Sequence, residues 1–122
     1  MKEFRFRNWK VYDDAQKLFS QILKISQTLP KEYRFSLRDQ LVRSSSSIIL
    51  NIAEGSGKAS DGEFKRFLNI AIGSAYEVLS ITDILKRNTL IDKGAAETLD
   101  QSVVEICRQL GGLRKSALVK KK

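Results

Sequence analysis

The 122-residue chain contains no histidine, one cysteine and one proline. Each shortage removes a class of function. Without histidine there is no Ser-His or Cys-His pair, no imidazole metal ligand, and no side chain whose ordinary pKa suits it to general-base work near neutrality. The single Cys107 cannot form a disulfide within the chain or build a cysteine zinc site, and it suits a reducing compartment. With Pro30 alone, the strongest helix breaker is nearly missing. No apolar run approaches the ~20 residues of a membrane span. The opening MKEFRFRNWK has no apolar segment behind its charges, so no signal peptide is expected. These exclusions predict a soluble cytoplasmic protein that is not an enzyme, with no cofactor, no metal site and no membrane contact.

The residues that are plentiful, Leu, Ile, Ala, Lys and Glu, favour helix throughout. A chain of this length forms one domain with a modest core. The net charge of +8 permits binding to nucleic acid or another acidic surface, and it equally serves solubility. Four helices follow from the spacing of apolar residues, at about 8–29, 36–55, 61–87 and 92–119. The first carries a seam at Val11, Ala15, Leu18, Ile22, Ile25 and Leu29 and ends at Pro30. Ser36 can cap the second, with Asp39 in its first turn. Gly55 and Gly57 break it. Ser60 and Glu63 make a capping box for the third, and Asp92 can cap the fourth. Short connections between four amphipathic helices predict an all-α, antiparallel up-and-down four-helix bundle.

Helix two holds an unusual run, Ser44 to Ser47. Serines are poor choices for helix propensity in mid-helix, but their small size lets another backbone come close. Arg43, Ser47, Asn51 and Glu54 fall within an arc of roughly 80° beside the apolar stripe of Leu37, Leu41, Ile48 and Ile52. Groups lying so near a core need partners. The expected arrangement is a polar lock in which Glu54 or Glu77 accepts from Arg43 and Asn51 satisfies what remains, between helices two and three or between subunits. Glu54 and Glu77 lack the Glu-x-x-His companions of a bundle metal site. On helix three, Ile70, Ile81 and Ile84 form a second apolar face beside Gly73 and Ser74, so that helix is expected to be covered on two sides.

Gly55 to Ser60 superficially suggests a phosphate loop, but Ile52 stands at the first required glycine, Ala59 replaces the hydroxyl residue, and no strand precedes it. The arm Phe4, Arg5, Phe6, Arg7, with Trp9 behind it, could stack on bases or track phosphates. It could also pin the N-terminus onto a neighbouring helix or subunit. Pinning is favoured, because an aromatic ring left in water gains nothing. Cys107, at the edge of the fourth seam, reads as a packing residue.

Gln40-Leu41-Val42-Arg43, Ser44 to Ser47, Ile48, Asn51-Ile52-Ala53-Glu54-Gly55, then Glu63-Phe64, Arg66-Phe67-Leu68, Ile70-Ala71, Gly73-Ser74 and Glu77 together resemble a bacterial four-helix-bundle family. Its founding members are encoded in intervening sequences of large-subunit ribosomal RNA genes, and it carries the name ribosomal protein S-twenty-three. The resemblance is close over helices two and three, looser at Trp9, Val11 and Tyr12, and limited to periodicity in helix four. Ile49 and Leu50 stand where the family commonly has Pro-Ser, which implies a straighter second helix here. The resemblance implies a closed ring, of five subunits, and a relation to accessory proteins of retroelements that bind nucleic acid and a reverse transcriptase through a basic surface. The expected function is a non-enzymatic homo-oligomeric accessory protein that binds RNA or DNA mainly through phosphates, with Lys10, Lys17, Lys24, Arg38, Lys65, Arg66 and Arg87 as candidate contacts. The competing expectation is an assembly or protein-interaction module without nucleic-acid binding.

Overall fold

Helical periodicity along the chain produces four long helices, α1 (Lys10–Thr28), α2 (Asp39–Ser56), α3 (Asp61–Arg87) and α4 (Lys93–Lys120). The computed structural model describes residues 2–120, with side chains described from residue 4 to residue 116. Each helix packs against its neighbours in sequence, and α1 closes against α4. The result is the expected all-α up-and-down bundle. Its core is the set of seams read from the sequence: Val11, Ala15, Leu18 and Ile22 from α1, Leu41, Ile48 and Ile52 from α2, Leu68, Ala71, Ala75, Val78 and Leu85 from α3, and Leu99, Val103, Ile106 and Leu110 from α4. Ala117 and the basic tail Lys120 to Lys122 lie outside the described side chains.

Several helix ends follow local chemistry, and two helix starts depart from it. Leu29 is extended ahead of Pro30 and stops α1. Ser60 Oγ accepts from Glu63 N at 3.1 Å at the start of α3. Asp92 Oδ1 accepts from Gly94 N at 2.7 Å and Ala95 N at 3.1 Å ahead of α4. The first departure is the N-terminus. Lys2–Asn8 form a 3-10 arm, and α1 begins only at Lys10 because Trp9 is extended. The second concerns Ser36, which caps nothing. It lies in a π-helical turn, Arg34–Arg38, that runs straight into α2, so no extended residue precedes the helix to act as a cap.

The most extensive helix–helix contact in the bundle is between α2 and α3. Ser44 and Ser45 are buried, their hydroxyls donating back to Gln40 O at 2.8 Å and Val42 O at 3.0 Å, so the small side chains enter the interface without unsatisfied donors. Gly55 does not break α2 as the sequence suggested. It lies within the last turn, and a Cβ there would meet Phe67 Cβ at 2.7 Å and Phe64 Cδ1 at 3.3 Å. Its role is to let α2 rest on two aromatic rings of α3, while Gly57 ends the helix. Helix α2 runs unbroken through Ile49, which is buried, and Leu50, which is exposed. Helix α3 is long and apolar enough by composition alone to cross a membrane, but its apolar residues chiefly face the other helices.

Gly55→Ala should lower stability by about 1–3 kcal/mol through overpacking against Phe67. Gly112→Ala, where a Cβ meets open space in mid-helix, should raise it by about 0.5–1 kcal/mol. Thermal or urea melting of the two variants checks both signs.

Candidate functional site

At the middle of the α2–α3 contact, Ser74 Oγ donates to Ser47 Oγ at 2.8 Å, and Asn51 Nδ2 donates to Ser47 O at 2.8 Å and to Ser47 Oγ at 3.0 Å. The polar lock therefore exists, but its members are Ser47, Asn51 and Ser74. Arg43, Glu54 and Glu77 are exposed. Among the described residues Arg43 and Glu77 take part in no ion pair, and Glu54 approaches only Lys58, at 3.9 Å. The expected Arg43–carboxylate bond within the chain is thus not formed. The reason is reach: Arg43 and Glu54 lie on the outer half of the α2 arc, Glu77 is exposed on α3, and all three extend into water, so no buried charge demands a partner. Beside them, Ile70 and Ile84 are 39% and 44% exposed, and a Cβ at Gly73 would meet nothing within 4 Å. Ile81 and Ser74 of the second α3 face are buried within the chain, so that face is open only at Ile70, Gly73 and Ile84.

The seven basic candidates do not form one patch. Lys10 Nζ bonds Asp14 at 2.7 Å and lies 3.9 Å from Glu105. Lys17 pairs with Asp13 at 3.1 Å, and Arg66 with Glu63 at 3.1 Å. Lys24, Arg38, Lys65 and Arg87 make no ion pair among the described residues. Arg38 shares a groove with Arg43, Leu23 and Ser26 near the α1–α2 end, whereas Lys65 belongs to the opposite end. Lys10 is part of a polar seam between α1 and α4. There Gln109 Nε2 also donates to Asp14 Oδ2, at 2.8 Å, and Arg108 pairs with Glu105. The hydrogen bond from Lys10 holds the Asp14 carboxyl below its ordinary range against the opposing effect of burial, and the Arg108 hydrogen bond does the same for Glu105.

A different group of cations is brought together where the N-terminal arm crosses the α2–α3 corner. Phe6 packs edge-on against Tyr12, with centroids 5.0 Å apart, and Trp9 lies 6.0 Å from Phe64. The arm is pinned, as its composition suggested. The Arg5 guanidinium sits 5.5 Å from the Trp9 ring and 5.9 Å from the Phe64 ring, and Nη2 donates to Ser56 O at 3.5 Å. Lys58 and Arg66 both lie over the Phe67 ring, at 5.0 and 4.7 Å. Arg7 lies 5.2 Å from the ring of Phe4, which is 44% exposed. Such contacts hold cations in place; Arg66 is also paired with Glu63 and Lys58 lies 3.9 Å from Glu54, so among the described residues only Arg5 and Arg7 of this group are without a carboxylate within ion-pair distance. Arg5, Arg7 and Lys58 were absent from the seven candidates. The alternation of aromatic and basic residues from Phe4 to Arg7 was their signal, and Lys58 had none, because only the fold lays it on Phe67.

The family model of the 23S rRNA-intervening sequence protein matches residues 7–112. The chain belongs to this family. A crystal structure of a protein of unknown function from the S23 ribosomal protein family of Bacteroides thetaiotaomicron is 27% identical, with a TM-score of 0.80 over 86% of this chain and 98% of that one. No curated protein matches. The family match spans the Ser47 lock and, in the arm-corner cluster, Arg7, Trp9, Lys58, Phe64, Arg66 and Phe67, but not Phe4 or Arg5.

Among the described residues no three acids, cysteines or histidines converge as a metal site. Cys107 packs at the edge of the core, and burial pushes its thiol pKa up, away from nucleophilic use.

Ser47→Ala and Ser74→Ala should each destabilise, and a double-mutant cycle should give a coupling of about 0.5–1.5 kcal/mol. Arg43→Ala, in contrast, should change monomer stability by less than about 0.5 kcal/mol. Because the Asp14 pKa is lowered in the fold, its stabilisation is present above the ordinary carboxylate range and is lost as pH falls through the lowered value. Acid unfolding of Asp14→Asn should therefore show a shallower pH dependence below about pH 4 than the parent chain.

Proposed function

We propose that the protein is a non-enzymatic, homo-oligomeric accessory protein that binds RNA or DNA through phosphate contacts. The observation that supports this most is the arm-corner cluster. Arg5, Arg7, Lys58 and Arg66 are held on aromatic rings at one end of the bundle, and among the described residues neither Arg5 nor Arg7 has a carboxylate within ion-pair distance. Cations fixed in this way suit a polyanion, which neutralises several of them at once and releases its own counterions. The net charge of +8 adds long-range attraction.

The open face of α2 and α3 supports the oligomer. Exposed Ile70 and Ile84, the open Gly73, and Arg43, Glu54 and Glu77 with their charges in water make a surface with both apolar area and complementary charge. A second copy would pair Arg43 with a carboxylate and cover both isoleucines, and a ring of five is the closed form this reading carries. A reverse transcriptase or another protein is the partner class that accompanies it. A second reading, an assembly module without nucleic-acid binding, draws support from the scatter of Lys24, Arg38 and Arg87 away from the arm-corner cluster.

Filter binding across a salt series should show retention of RNA or DNA at low salt, with affinity falling linearly on logarithmic axes as salt rises. No retention, or retention indifferent to salt, favours the module. Sedimentation should give a multiple of the 13.8 kDa chain mass. Gly73→Arg, which the isolated fold accommodates, should reduce it to that of one chain.

A further inference from the structure

Of the three aromatic residues in the N-terminal arm, two are used to fix it and one is not. Phe6 is against Tyr12 and Trp9 against Phe64, whereas Phe4 sits at a non-helical kink, φ −121° and ψ 38°, with nearly half of its surface in solvent. A free aromatic on a flexible tail would be unremarkable. Here the segment behind it is anchored by two ring contacts, by the Arg5 hydrogen bond to Ser56 O and by Trp9 N donating to Phe6 O at 3.0 Å. The ring is therefore presented in a fixed place, with Arg7 against it, at the end of the bundle where Arg5 rests on Trp9 and Phe64 and Lys58 on Phe67.

We propose that this end of the bundle is a site for single-stranded nucleic acid, in which Phe4 stacks on a base while Arg5, Arg7 and Lys58 contact the flanking phosphates. The proposal rests on the nucleic-acid reading above and narrows it. A single strand offers unpaired base faces to an aromatic ring and phosphates to its flanking cations, whereas a duplex hides its base faces and can use the cations alone. An anionic membrane surface would also attract the cations. It fits less well, because interfacial binding needs a broad apolar face and this cluster exposes little beyond one half-covered ring.

The test measures fluorescence anisotropy of labelled oligouridine and of a DNA duplex of equal length, titrated with the full chain and its variants at several salt concentrations. The single strand should bind more tightly than the duplex. Phe4→Ala should weaken single-strand binding about fivefold or more and leave duplex binding unchanged, and Phe4→Tyr should retain the parent affinity. Arg7→Ala and Lys58→Ala should weaken both ligands and reduce the salt slope by about one. Unchanged melting of the variants separates these effects from misfolding. Salt-dependent binding of both ligands with no special loss in Phe4→Ala overturns this inference and leaves the broader reading standing. Binding to neither ligand overturns both, as does capture by phosphatidylserine vesicles in place of oligouridine.

Discussion

The close contact of α2 with α3 sets the positions of the other parts. Two long helices pack closely where side chains are small, and α2 supplies them along one edge: Ser44 and Ser47 at the start and centre, Gly55 at the end, with Ser74 of α3 opposite Ser47. The serines return their hydroxyls to the preceding turn or to one another, so burial leaves no donor unmet. Gly55 lets the last turn of α2 settle on Phe64 and Phe67. Those two rings then carry the contacts with Trp9, Arg5, Lys58 and Arg66. A packing requirement at one helix pair thereby fixes a charged surface at the end of the bundle.

Electrostatics divides the molecule into three regions with different behaviour. The α1–α4 seam is internally balanced, because Lys10, Asp14, Glu105, Arg108 and Gln109 satisfy one another. The outer α2–α3 face carries Arg43, Glu54 and Glu77 in water, where ion pairing within one chain would contribute little. The arm-corner cluster holds its cations on aromatic rings. In that cluster Arg66 is paired with Glu63 and Lys58 approaches Glu54, whereas Arg5 and Arg7 have no carboxylate within ion-pair distance among the described residues.

The polar stripe on α2 shows how far a one-dimensional pattern reaches. Its arc correctly identified a run of polar residues next to the core, and Asn51 does satisfy a neighbour there. Arc position does not say how far outward a residue sits, however, and the short Ser47 and Ser74 meet where the long Arg43 and Glu77 pass by into solvent. Gly55 is a similar case. A glycine ahead of a loop reads as a helix terminator, and only the position of Phe67 reveals it as a point of close approach.

The sequence by itself determined the helices, their order and nearly all of the core, because a period of 3.6 residues and short connections leave few ways to bury four apolar stripes. It also determined the family, through residues concentrated in α2 and α3. The tertiary structure decided which polar and charged groups meet across helices, since the ion pairs themselves are nearly all three or four residues apart on one stretch of chain. Lys10 and Lys17 each have an acid four residues away and Lys24 has none, a difference already legible in the sequence, but that Lys10 also approaches Glu105 is not. Lys58 and Arg66 come to share the Phe67 ring only when α2 turns back into α3. Contacts such as Gln109 with Asp14, Ser74 with Ser47 and Lys58 with Phe67 depend on distances of a few ångströms between separate segments, and no periodicity along one helix encodes those distances.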